Sequence, residues 1–182
     1  MTTEHIEGWK LSLRDLMAGN GVLMIFASLV GGLGYWMFLL GGFEIVPGFF
    51  VSFQLPGTEH GWRGTHTGPV LNGLMTIAVA FVIPHINFSE KWGNIWGWIV
   101  MLDGWSNVLF YWGSNFAPNR ALAFGDTPIG PSNIFSFIGL APAYVFGVLN
   151  MIALVAIGRQ AIIAAKARRS GSRDLAATRR TA

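Results

Sequence analysis

Four stretches of this chain stay apolar for about the length of a bilayer crossing, and this constrains the fold more than any other feature. They run from about Gly21 to Leu40, His66 to Ile86, Trp92 to Trp112 and Asn133 to Gly158. A helix needs roughly 20 residues to cross the hydrocarbon core. Inside lipid every backbone polar group must find an internal partner, so runs of this length and composition fold as helices. The predicted class is an all-α membrane protein, a four-transmembrane-helix bundle forming one domain over residues 1–169. Only 12% of the 182 residues are charged, so little is left for a soluble domain. Residues 170–182 are expected to form a basic, disordered tail.

Charge sets the expected orientation. Ten of the twelve Lys and Arg lie in the two terminal segments or at Lys91, against Arg63 and Arg120 in the other two connections. The positive-inside rule places both termini in the cytoplasm and accounts for the basic tail better than nucleic-acid binding does. The first 20 residues carry Glu4, Glu7, Lys10, Arg14 and Asp15 and lack the short apolar core of a cleavable signal, so the first span is expected to be retained. Cysteine is absent, which excludes disulfides, thiolate ligation and iron–sulfur clusters.

Small residues recur where helices should touch: Ala27, Gly31 and Gly32 in the first span, and Gly139, Ala143 and Gly147 in the fourth. Such positions let backbones approach closely. Pro142 is expected to kink the fourth helix, which continues past Arg159. The two connections opposite the termini are long. Gly41 to Thr65 is rich in Phe but broken by Pro47, Gly48, Pro56 and Gly57, and reads as an interfacial or re-entrant cap. Gly113 to Ser132, with Pro118, Pro128 and Pro131, reads as a loop of turns.

Five polar residues in or beside the spans are the candidate site, because hydrocarbon makes them expensive. His66, in Gly-Thr-His-Thr-Gly-Pro, falls at the expected start of the second span, with Thr65 or Thr67 as cap and Pro69 in the first turn. Its imidazole suits a metal or haem iron, or a plain hydrogen bond at the membrane interface. His5, His60 and His85 lie in the tail, in a loop and at the far end of the span, and none is an obvious second ligand. Asn72 follows six residues later, about 9 Å deeper but rotated by roughly 120°, so the two need not face one cavity in one subunit. Asp103, Asn107 and Tyr111 form an i, i+4, i+8 stripe on the third span. Asp103 reads as structural support as readily as an acid, and Tyr111 as an interfacial aromatic or as a hydroxyl meeting the second helix.

These segments resemble styrene oxide isomerase, a small integral-membrane enzyme of bacterial styrene degradation. The likeness runs from Met17-Ala-Gly-Asn-Gly through Gly41-Gly-Phe-Glu-Ile-Val-Pro-Gly and His66-Thr-Gly-Pro-Val-Leu-Asn-Gly. It continues through Leu102-Asp-Gly-Trp-Ser-Asn-Val, Ser114-Asn-Phe-Ala-Pro-Asn-Arg and Leu140-Ala-Pro-Ala-Tyr-Val-Phe-Gly. The resemblance implies a homotrimer in the bacterial inner membrane with a ferric, non-covalent haem b at each subunit interface. It implies His66 as the axial ligand, Asn72 and Tyr111 as contacts to the epoxide oxygen, and Asp103 and Asn107 as support. The expected reaction converts aryl epoxides such as styrene oxide to arylacetaldehydes, and a cytoplasmic styrene monooxygenase is a candidate partner. The competing classes are a haem or quinone electron-transfer subunit, a non-catalytic membrane anchor, and a haem-free isomerase using Tyr111 or Asp103 as acid.

Overall fold

A computed structural model describes residues 7–181, with side chains described through Ser170. Four long helices follow one another in antiparallel sequence: α1 (Gly8–Leu40), α2 (Glu59–Val82), α3 (Glu90–Phe116) and α4 (Ile134–Thr181), with a single 3₁₀ turn, Ile83–His85, closing α2. Trp9 and Leu13 of α1 meet Gly93 and Gly97 of α3 at one end. There Arg168 of α4 also donates to the His85 carbonyl (3.0 Å). At the other end Gly61 of α2 meets Asn115 of α3, and Gly113 of α3 meets Gly139 of α4. Both long connections therefore gather at one end, called the loop end below, and α1 begins at the opposite end.

Side chains are distributed as lipid demands. The surface of α1 exposes Val22, Leu23, Phe26, Leu29 and Leu33, and that of α4 exposes Val145, Met151, Ile152 and Val155. A continuous apolar core, including Met17, Ile83, Val100, Met101 and Ile157, fills the half of the bundle away from the loops. Buried polar residues Ser28, Thr65, Thr76, Asp103, Asn115 and Asn150 lie along the helix contacts instead. Three helices, α1, α2 with its 3₁₀ turn, and α4, are long and apolar enough to cross a membrane. α3 is long enough but too polar by that measure, because Asn94, Asp103, Ser106, Asn107, Ser114 and Asn115 all lie on it.

The expectation of an all-α fold is corrected at the first connection. Gly42–Val46 and Phe49–Ser52 form an antiparallel hairpin, β1 and β2, pairing Phe43 with Val51 and Glu44 with Phe50. Pro47 and Gly48 act as turn residues, Gly48 at φ 85°, as the second central position of a type II turn requires. The Phe, Ile and Val around them favour the extended strand. The stretch read as an interfacial or re-entrant cap thus opens as a β-hairpin, passes through a short irregular segment, residues 53–58, and from Glu59 onward already belongs to α2.

α2 also begins earlier than expected. Thr58, rather than Thr65 or Thr67, is its N-cap and accepts from the Gly61 N–H (3.0 Å). His66 therefore lies two turns inside the helix, and Pro69 is an interior proline. Lacking an N–H, Pro69 leaves the Thr65 carbonyl without its helical donor. α1 presses against that freed carbonyl, where Gly31 has no room for a Cβ. α4 carries Pro142 inside it and its backbone continues to Thr181, through the stretch read as a disordered tail. The side chains of that stretch lie outside the described residues.

The second connection is a loop of turns organised by Asn119, which is fully buried. Its Nδ2 donates to the carbonyls of Ala123 (2.9 Å) and Gly125 (3.0 Å), and its Oδ1 accepts from the Ala121 N–H (3.0 Å) and the Ser136 hydroxyl (2.6 Å). Asn119→Ala removes all four bonds and strands the buried Ala121 N–H and the buried Ser136 hydroxyl. It is expected to destabilise the protein by about 2–4 kcal/mol, since each buried group left unsatisfied costs about 1–3 kcal/mol. Thermal unfolding in detergent would check this; an unchanged midpoint would remove Asn119 as the organiser.

Candidate functional site

His66 is clasped by α1. Its Nδ1 lies 3.2 Å from the Ser28 carbonyl oxygen, an atom that can only accept, so Nδ1 carries the proton. The Ser28 hydroxyl in turn donates to the His66 carbonyl. The ring fills the space over Gly32, where a Cβ would overlap it. In the neutral ring Nε2 then keeps its lone pair. A ring nitrogen fixed by a backbone carbonyl, with the other free, is the usual preparation of a histidine metal ligand.

Asn72 and Tyr111 each adjoin Gly68 of α2. The Tyr111 ring lies against Gly68, so closely that Gly68 has no room for a Cβ, and the Asn72 Nδ2 donates to the Gly68 carbonyl (3.1 Å). Asn72 has a second amide hydrogen, and no bond engages the Tyr111 hydroxyl among the described residues. Both groups therefore retain donors for a ligand. Tyr111 lines a cavity of about 290 Å³ at the loop end, with Arg63, Gly64 and Thr67 of α2, Ser114 of α3 and Arg120 of the second connection. Asn72 and Tyr111 thus both adjoin Gly68, while His66 faces α1, in keeping with the rotation between His66 and Asn72 around α2.

Asp103 and Asn107 are one unit, completed by a residue the sequence did not reveal. Asn107 Nδ2 donates to the Asp103 carboxylate (2.9 Å) and to its carbonyl (3.0 Å). Asn150 of α4 donates to the other carboxylate oxygen (2.6 Å). Asp103 and Asn150 are both only 4% exposed. Asn150 sits alone in an apolar stretch of α4, and the available signal was its cost in lipid. His60 is also placed differently from expectation. It belongs to the first turn of α2 and lines the Tyr111 cavity. His85 caps the far end of the bundle, and His5 lies outside the described residues. No group of three or more His, Cys, Asp or Glu that could hold a metal lies among the described residues.

A family model described as styrene oxide isomerase matches residues 13–162. The chain belongs to that family. It is also 57% identical to the styrene-oxide isomerase of Pseudomonas fluorescens over 146 residues, covering 80% of this chain and 86% of that protein. It is accordingly an isomerase, and the matched region contains all five polar positions. Gly68 joins them as a packing requirement. Gly68→Ala forces either the Tyr111 ring or the α2–α3 contact to shift, and a displacement near 1 Å at a reacting group costs about 100-fold in rate. Turnover is expected to fall by that order while circular dichroism stays helical. Wild-type turnover in the alanine variant would show that the ring position is unimportant.

Proposed function

We propose that this protein isomerises styrene oxide and related aryl epoxides to arylacetaldehydes at a haem-bearing site in the membrane. The observation that carries the reading is the state of His66: Nδ1 is committed to Ser28, the ring is held over Gly32, and Nε2 is free to ligate. These features fit a single-histidine haem iron. Ferric haem b, bound through His66, would supply Lewis acidity toward the epoxide oxygen.

The chain's own residues do the rest. Tyr111 O–H and Asn72 Nδ2–H donate hydrogen bonds to the epoxide oxygen and hold it while negative charge grows there. Such preaimed donors contribute most in a dry site. The benzylic C–O bond breaks because the aryl ring stabilises the cation, and a hydride moves from the adjacent carbon to give the aldehyde. No proton is consumed. Asp103 acts at a distance from substrate: with both oxygens occupied by Asn107 and Asn150, it fixes α3 and with it Tyr111. The surrounding bilayer keeps out the water that would trap the cation as a diol.

The separation of His66 from Asn72 and Tyr111 around α2 favours a site shared between subunits. We place this site in a homotrimer, with α3 as the fourth span and both termini in the cytoplasm of a bacterial inner membrane. Cyclic closure lets each subunit offer His66 to one neighbour and the Asn72–Tyr111 pair to another. Substrate is taken to enter from the lipid, where it concentrates. A cytoplasmic styrene monooxygenase remains the proposed source of epoxide.

One sample tests the assignment. Purified protein should show a Soret band and isomerise styrene oxide, and His66→Ala should lose both. An active protein without haem would sink the Lewis-acid reading, and a haem protein that cycles with quinol but leaves epoxide unchanged would make it an electron-transfer subunit. Tyr111→Phe should keep the Soret band and lose about 100-fold in kcat, the worth of one preaimed donor. Unchanged kcat would return Tyr111 to a purely interfacial role.

A further inference from the structure

The cavity beside Tyr111 holds more positive charge than the epoxide chemistry uses. Its walls carry His60, Arg63 and Arg120 and no carboxylate. Arg63 is paired with Glu59 and contacts the Tyr35 hydroxyl. Arg120 has no acidic partner among the described residues. A lone guanidinium at a membrane surface would be unremarkable on a relaxed loop, but this loop is not relaxed. Arg120 stands at φ 59° and Ala121 at φ 53°, a left-handed pair that residues with a Cβ disfavour. The four hydrogen bonds of buried Asn119 hold the pair in place. Strain sustained by a dedicated network points to a functional position for the residue that bears it.

We infer that Arg120, with Arg63 as the second cation, forms a carboxylate-binding site at the mouth of the Tyr111 cavity, and that it takes a propionate of the haem. A guanidinium presents paired N–H donors matched to the two oxygens of a carboxylate. The propionate assignment rests on the haem reading above. It accounts for the two guanidinium groups in the walls of this cavity, since the propionates are the charged edge of that group. The site binds and orients; it takes no part in bond breaking.

The test compares iron protoporphyrin IX with its dimethyl ester, which lacks the carboxylates. Apoprotein is loaded with each, and loss to excess apomyoglobin is followed by absorbance. Wild type should release the ester roughly tenfold faster than the acid, the worth of one charge-assisted pair. Arg120→Gln should release the acid several-fold faster than wild type does and lose most of the preference, keeping only the part that Arg63 holds, and Arg120→Lys should fall between. If Arg120→Gln speeds both releases equally while keeping the wild-type preference, the loop matters only structurally and the proposal fails. If Arg120→Gln releases both as wild type does, the proposal fails likewise. Wild type that takes up neither porphyrin would overturn the haem reading itself, an outcome read directly from the missing Soret band.

Discussion

The Asp103 carboxylate lies in the interior of α3, and a charge or a bare acid cannot be left alone in hydrocarbon. Its two oxygens are taken by amides from two different helices' worth of structure, Asn107 one turn away and Asn150 across on α4. That pairing sets the rotation of α3 and its register against α4 more tightly than apolar packing could, because a slip of one residue would strand a buried polar group. Everything on α3 inherits that position. One turn beyond Asn107 is Tyr111, whose ring is seated against Gly68 and whose hydroxyl is free for a ligand.

α1 and α2 are joined by a different principle. Lipid supplies little hydrophobic drive between helices, so contact comes from small residues and from polar groups that close on each other. Gly31 and Gly32 let α1 reach the Thr65 carbonyl and the His66 ring, and Ser28 bonds His66 at both its side chain and its backbone. The clasp decides which imidazole nitrogen is free. The same helix α2 thus carries two distinct contacts, His66 held by α1 and Gly68 packed against Tyr111 of α3.

Much of this was legible because membrane physics makes sequences explicit. Long apolar runs mark helices, and polar residues within them stand out; Asp103, Asn107 and Tyr111 could be placed on one stripe from spacing alone. The misreadings came where local signals competed. Pro47 and Gly48 signalled a break, but whether the flanking Phe and Val residues would pair as strands depended on their partners. His66 looked like a helix start because Thr65, Thr67 and Pro69 surround it, yet the cap that closes is Thr58, whose own N–H is bonded by Asn115 far along the chain. Asn150 and Asn119 carry no comparable signal, because a single asparagine declares no partner.

The sequence by itself determined that this chain is a membrane helical protein of the styrene oxide isomerase family and which few residues could carry chemistry, since both follow from composition and order. The tertiary structure decided which groups are paired and which remain free: Nδ1 of His66 engaged, the Tyr111 hydroxyl open, Asp103 sealed by Asn150, and Arg120 held in a strained turn. Hydrogen bonds between residues dozens of positions apart depend on how helices are rotated and how closely they approach, and no local pattern records either.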